Sequence, residues 1–148
     1  MKMKKNALVI CIHDGLGTHY CGVGTAMRKT IESLKILEEQ GRLNEFEIHV
    51  ITHFYDHEAD YFDQRYFNDA DAFIRSTGGA IHEIKLLKGG KKPKAIGENW
   101  GRSKWYRGSE GAARILSKLR NENIVFLAHD IAFAPVCWLV PDRKNISG

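Results

Sequence analysis

The sequence predicts an α/β fold, an open parallel β-sheet with helices on both faces, built as one domain over residues 1–148. Two continuous apolar runs, residues 7–12 (ALVICI) and residues 124–128 (IVFLA), each end at polar turn residues. Between them, apolar residues recur at helical spacing, and the two patterns alternate along the chain. An unbroken, β-branched apolar run suits a strand buried on both faces, as in a parallel sheet covered by helices. Strands that alternate with helices close into such a sheet through right-handed crossovers.

Residues 7–12 are the first strand. After Gly22, the residues Val23, Met27, Ile31, Leu34 and Leu37 repeat at three- and four-residue intervals and stop before Gly41, which suits a left-handed helix terminus. A long helix is therefore expected directly after the strand. Residues 46–52 (FEIHVIT) and 80–87 (AIHEIKLL) read as the second and third strands, with a short helix over residues 69–76. Residues 103–121 carry helical spacing through Ala112, Ala113, Leu116 and Leu119, although Gly108 and Gly111 weaken the first half. Residues 124–128 read as another buried strand, followed by a short apolar helix over residues 131–140. No internal repeat interrupts this order.

Of the 148 residues, 43% are apolar and 27% charged, which favours a packed core over disorder or a fibrous repeat. The net charge of +4 does not by itself demand nucleic acid. Its distribution is uneven. Residues 88–107 hold seven Lys or Arg and one acid, Glu98; residues 54–73 hold six acids against Arg65, with seven aromatics. These segments imply local partners rather than a field over the whole molecule. Trp100, Trp105 and Tyr106 lie among the cations, a mixture suited to stacked bases, sugar rings or an anionic surface. Cys11, Cys21 and Cys137 are odd in number and lack CxxC spacing, so a reducing, cytoplasmic setting is expected rather than a disulfide framework. No stretch approaches the ~20 apolar residues of a membrane span, and residues 7–12 are too few for a signal sequence.

Ligands of an open parallel sheet bind where the strands' carboxyl ends meet the turns that follow them. Residues 13–24, residues 53–55 and His129-Asp130 are all expected on that edge. The first turn, HDGLGTHYCGVGT, contains Gly15, Gly17, Gly22 and Gly24. Glycines permit close backbone approach and positive φ, and the helix start at Gly22-Val23-Gly24-Thr25 offers unpaired N–H groups, so a phosphate or a sugar hydroxyl is the expected guest. The turn lacks the Gly-Lys-Ser/Thr of a Walker A loop, and Tyr20 breaks the GxGxxG pattern. Thr52-His53 stands where a dinucleotide fold would place its ribose-binding acid, and no Gly-x-Ser-x-Gly elbow occurs; both count against a reductase or hydrolase. His129 is a candidate hydrogen-bond donor or acid-base group, and Asp130 a candidate N-cap of the next helix. His13-Asp14 is a second candidate pair. His49, His53 and His57 would form a metal face on a helix, but they fall on a strand and the loop after it, so no metal is expected.

The order of apolar strand, glycine-rich turn, Gly22-Val23-Gly24-Thr25 opening a long helix, and a later strand ending in His129-Asp130 resembles the amino-terminal domain of retaining glycosyltransferases with the GT-B fold, the group-1 or family-4 type. Cys21 takes the place of that family's first glycine, and Leu127-Ala128-His129-Asp130 keeps only the second half of its His-x-His-Asp run. The resemblance implies a Rossmann-like domain that binds the acceptor, with Gly15, Gly17, Gly22, Val23, Gly24 and Thr25 facing the donor diphosphate or acceptor. It implies His129 and Asp130 near the transferred sugar, with His13, Asp14, Asn99, Trp100 and Arg102 on the acceptor side. It also implies a nucleotide-diphospho-sugar donor, no metal or other cofactor, a carboxyl-terminal donor-binding domain as partner, and a sugar or glycoconjugate acceptor. Nucleic acid is not expected on this reading. The isolated chain would then lack turnover. The alternative is a non-catalytic module that uses residues 88–107 to bind RNA or another anionic partner.

Overall fold

The structure, a computed structural model, describes residues 4–14, 16–18, 22–140 and 146–147. Strand β1 (Asn6–Ile12) leads into helix α1 (Gly22–Glu39), followed by β2 (Phe46–His53), α2 (Gln64–Ser76) and β3 (Ala80–Ile84). Two short 3-10 turns, Lys88–Gly90 and Ile96–Asn99, precede α3 (Arg102–Lys118) and β4 (Asn123–Ala128). A 3-10 turn over Ile131–Phe133, the single-turn helix α4 (Val136–Leu139) and the short strand β5 (Ile146–Ser147) complete the order. The strands lie in the order β3-β2-β1-β4-β5, and every pairing is parallel.

Alternation along the strands divides the core between the two faces. On one face Ile10 and Ile12 of β1 and Ile48 and Val50 of β2 pack against Met27, Ile31 and Leu34 of α1 and Ala70 and Ile74 of α2. On the other, Val9, Cys11, Ile51, Ile124 and Phe126 meet Ala112 and Leu116 of α3 together with Ala132, Phe133 and Val136. The fold is therefore an α/β sheet with helices on both faces, compatible with a Rossmann-like domain. Among the described residues, no helix is long and apolar enough to cross a membrane.

Local chemistry accounts for the element ends. Gly41 takes φ +71°, its N–H donates to Glu38 O, and Arg42 N–H reaches back to Leu37 O at 2.9 Å. This paired closure needs a left-handed residue after the helix, as the position of Gly41 foretells. Helix α2 starts at Gln64, five residues before the expected start, because the Asp63 carboxylate caps it by accepting from Tyr66 N–H. Asp63 also receives Arg28 Nη2 at 2.7 Å, and that guanidinium lies 3.9 Å above the Tyr66 ring, tying α1 to α2. Strand β3 ends at Ile84, short of the expected residue 87, where the chain turns into the basic segment.

Two expectations are corrected. Residues 124–128 were expected to be buried on both faces, yet burial alternates: Ile124 and Phe126 are buried, while Val125 and Leu127 are 41% and 46% exposed. The chain after β4 packs its apolar residues on the α3 face, and neither α1 nor α2 buries Val125 or Leu127 on the opposite face. The apolar helix expected over residues 131–140 is divided into a 3-10 turn and a single α-turn, with Pro135 at the junction.

Candidate functional site

Strand order places the topological switch point between β1 and β4: the chain winds outward from β1 through β2 to β3, then returns to the other side of β1. A crevice outside the strands' carboxyl ends is expected there. Across it, Asp130 reaches from the tip of β4 to the tip of β1. Its Oδ2 accepts the His13 backbone N–H at 2.9 Å and lies 2.9 Å from His13 Nδ1. Its Oδ1 accepts Ala132 N–H at 2.8 Å, the N-cap role expected for it. One carboxylate thus holds the strand tip, the imidazole and the following turn. Burial works to raise the Asp130 carboxyl, but hydrogen bonds from His13 outweigh it and keep the group below the usual carboxylate value. The pair sets an imidazole beside an ionised carboxylate: Nδ1 lies within ion-pair distance of Oδ2 without hydrogen-bond geometry, and Nε2 is the second nitrogen for acid-base work.

The His13 ring lies 5.8 Å from the Trp105 ring and 6.2 Å from the ring of His53. His53, the last residue of β2, is fully buried, and among the described residues neither of its nitrogens has a hydrogen-bond partner. Burial chiefly, then the neighbouring His13, holds its pKa down to about 3, against the opposing pull of Asp130. Its ring packs against Phe133 at 5.1 Å and against Gly108, where an added Cβ would lie 2.4 Å from Nε2. Gly108 and Gly111 therefore let α3 press onto the sheet rather than prevent the helix; a Cβ at Gly111 would meet Ile84 at 2.9 Å.

Of the glycines in the first turn, the structure describes Gly17, Gly22 and Gly24. None of Gly17, Gly22 and Gly24 has positive φ. Gly17 is required by close approach, since a Cβ there would overlap the Phe62 ring at 2.0 Å, and its carbonyl accepts Asp63 N–H at 2.7 Å. Gly22 opens α1 with nothing near its Cβ position, Val23 is half-buried, Gly24 is buried and Thr25 is exposed. Gly15 and Cys21 lie outside the described residues. Asp14 is buried near Tyr55, whose hydroxyl is pushed up by burial and then by the Asp14 charge.

His129 continues the β4 ladder, its N–H donating to Cys11 O at 2.9 Å. Its imidazole is half-buried and, among the described residues, makes no hydrogen bond, so the structure joins Asp130 and not His129 to His13. Asn99 is buried and donates its amide to Phe54 O at 2.7 Å, a structural engagement, while Trp100 and Arg102 are exposed. Trp105 docks on His13. The spacing of His49, His53 and His57 has no common face: His57 is stacked on Phe62 at 4.3 Å and paired with Glu83 at 2.8 Å. Among the described residues, no group of three or more His, Cys, Asp or Glu is placed to hold a metal ion.

The basic and acidic segments meet each other. Lys92 lies 3.1 Å from Asp56 and 2.9 Å from Glu58, and the Tyr61 hydroxyl donates to Pro93 O at 2.8 Å. Sequence reasoning missed this clasp and the burial of His53, although the opposed charges of the two segments signalled the first. Comparison of the chain with protein-family models and with curated proteins finds no match.

Proposed function

We propose that this chain is the acceptor-side domain of a two-domain glycosyltransferase, in which a nucleotide-diphospho-sugar donor is held by a second domain and a sugar hydroxyl is presented at the β1/β4 switch point. The observation that carries the reading is the His13–Asp130 pair bridging the two strand tips at 2.9 Å, on the edge from which α1 departs. An imidazole oriented by a carboxylate accepts or donates a hydrogen bond to a sugar hydroxyl near neutral pH. The α1 N-terminus, carrying no acid in its first turn, favours an anionic guest such as a diphosphate. The sequence resemblance at Gly22-Val23-Gly24-Thr25 and His129-Asp130 supports the same assignment.

Orientation of donor against acceptor is worth roughly 7–11 kcal/mol of barrier, so a domain lacking the donor half is expected to bind without turning over. Purified chain should transfer no sugar from any nucleotide-sugar donor; measurable transfer by this chain alone would refute the division of labour. Titration with neutral oligosaccharides, followed by amide NMR, should move residues 13–18, 22–25 and 129–132, and Asp130→Asn should weaken binding about tenfold by loosening His13. Shifts confined to residues 88–107, with affinity for single-stranded RNA that falls steeply with salt, would instead favour the binding-module reading.

A further inference from the structure

A second imidazole cluster sits on the α3 side of the sheet, in the part of β2 nearer its start. His49 Nδ1 and His82 Nε2 face each other at 3.1 Å, with ring planes 27° apart. Behind them, Glu47 Oε2 lies 3.6 Å from His49 Nε2. That carboxylate is buried and fixed from two sides, accepting Lys4 N–H at 3.0 Å and the Asn121 side-chain amide at 3.0 Å. At that separation the carboxylate makes no hydrogen bond to Nε2, which has no hydrogen-bond partner among the described residues, and the ring tautomers set which facing nitrogen carries the proton. Burial depresses both imidazoles: His49 titrates below its ordinary value despite the opposing pull of Glu47, and His82 is brought down to about 4 by burial and then by His49.

We propose that His49 and His82 form a two-imidazole site for a borderline divalent cation such as Zn2+, with Glu47 as the outer carboxylate that orients His49. Nitrogens 3.1 Å apart can each lie at the usual zinc–nitrogen distance of about 2.0–2.1 Å, subtending roughly 98° at the ion, an angle open coordination tolerates. The facing nitrogens now share a proton. On binding, the ring that carries that proton moves it to its other nitrogen through solvent, which the position of His82 on the edge strand β3 and its partial exposure allow. Both rings pivot about their Cβ–Cγ bonds to aim at the ion, and no proton is released overall. With two protein donors, water completes the shell, so the ion exchanges freely instead of supporting the fold as a closed four-ligand site does. The ligand class follows from donor type, since imidazole suits zinc, copper and nickel rather than magnesium or calcium. This site stands apart from the His13–Asp130 crevice and does not depend on the transferase reading.

The test is zinc chloride titrated into the full chain near neutral pH, by calorimetry and by NMR of the histidine ring protons. One ion per chain is expected, with the rings of both His49 and His82 shifted at saturation. His82→Ala should lower affinity by about tenfold or more, and Glu47→Gln by about tenfold through lost orientation. Absence of saturable binding overturns the proposal. So does saturation that leaves either ring unmoved in the unaltered chain, or affinity unchanged in folded His82→Ala; the first of these readouts needs no variant to fold.

Discussion

His53 is a buried imidazole whose two nitrogens have no hydrogen-bond partner among the described residues, a placement that costs free energy because water's hydrogen bonds are not replaced. Its folded-state pKa of about 3 lies below that of a free histidine, so the unfolded chain takes up the proton first as pH falls. The stability that depends on a neutral ring is intact above about pH 6.5 and is lost progressively towards the folded value, with a slope near 1.4 kcal/mol per pH unit. His82, held to about 4, adds to the loss over the upper part of that window. Urea midpoints measured from neutral pH downward should therefore fall below pH ~6.5, and His53→Leu should flatten the decline; a variant as acid-sensitive as the parent would show that His53 does not titrate on unfolding. The sequence shows His53 at a strand end but not its burial. That burial is produced by α3, whose Gly108 arrives from more than fifty positions away.

Helix α3 shows why local propensity misleads at this scale. Glycine in a helix interior costs roughly 1 kcal/mol relative to alanine, which makes residues 103–111 read as a weak start. The structure gives those glycines a tertiary purpose, since a side chain at Gly108 would strike the His53 imidazole and one at Gly111 would strike Ile84. Gly108→Ala should thus destabilise the fold by about 1–3 kcal/mol despite its better helix propensity. Pairing it with His53→Ala, which removes the struck ring, should recover part of that loss; strict additivity in the double-mutant cycle would mean that the two residues do not touch. Gly22→Ala, with open space at its Cβ position, should change stability by less than about 0.5 kcal/mol. Gly41→Ala at φ +71° should cost about 1 kcal/mol through left-handed strain. Thermal unfolding of the parent and the five variants, His53→Ala alone included, separates these cases. Periodicity alone makes α1 and its glycine terminus legible, whereas the early start of α2 depends on Asp63, a cap whose partner Arg28 lies on another helix.

At the scale of the molecule, parallel order and helices on both faces follow from the alternation of apolar runs and helical stretches, but the cover over each strand does not. An apolar run such as residues 124–128 reads the same whether one or two layers cover it, because the difference lies in where the following chain crosses. Here the segment after β4 buries Ala132, Phe133 and Val136 on the α3 face, leaving Val125 and Leu127 on the exposed one. The clasp between residues 56–58 and Lys92 is likewise a meeting of distant segments, foreshadowed only by their opposite charges. A sharp alternation test follows within the single strand β4. Phe126→Ala should cost about 3–5 kcal/mol, because it opens a cavity among α3, β1 and the chain after β4. Leu127→Glu, one position along and on the opposite face, should stay within about 0.5 kcal/mol of the parent in chemical denaturation. Equal losses at the two positions would mean that both faces of β4 are covered in solution, and the exposed strip at the switch point would then have to be occupied by structure that these layers do not supply.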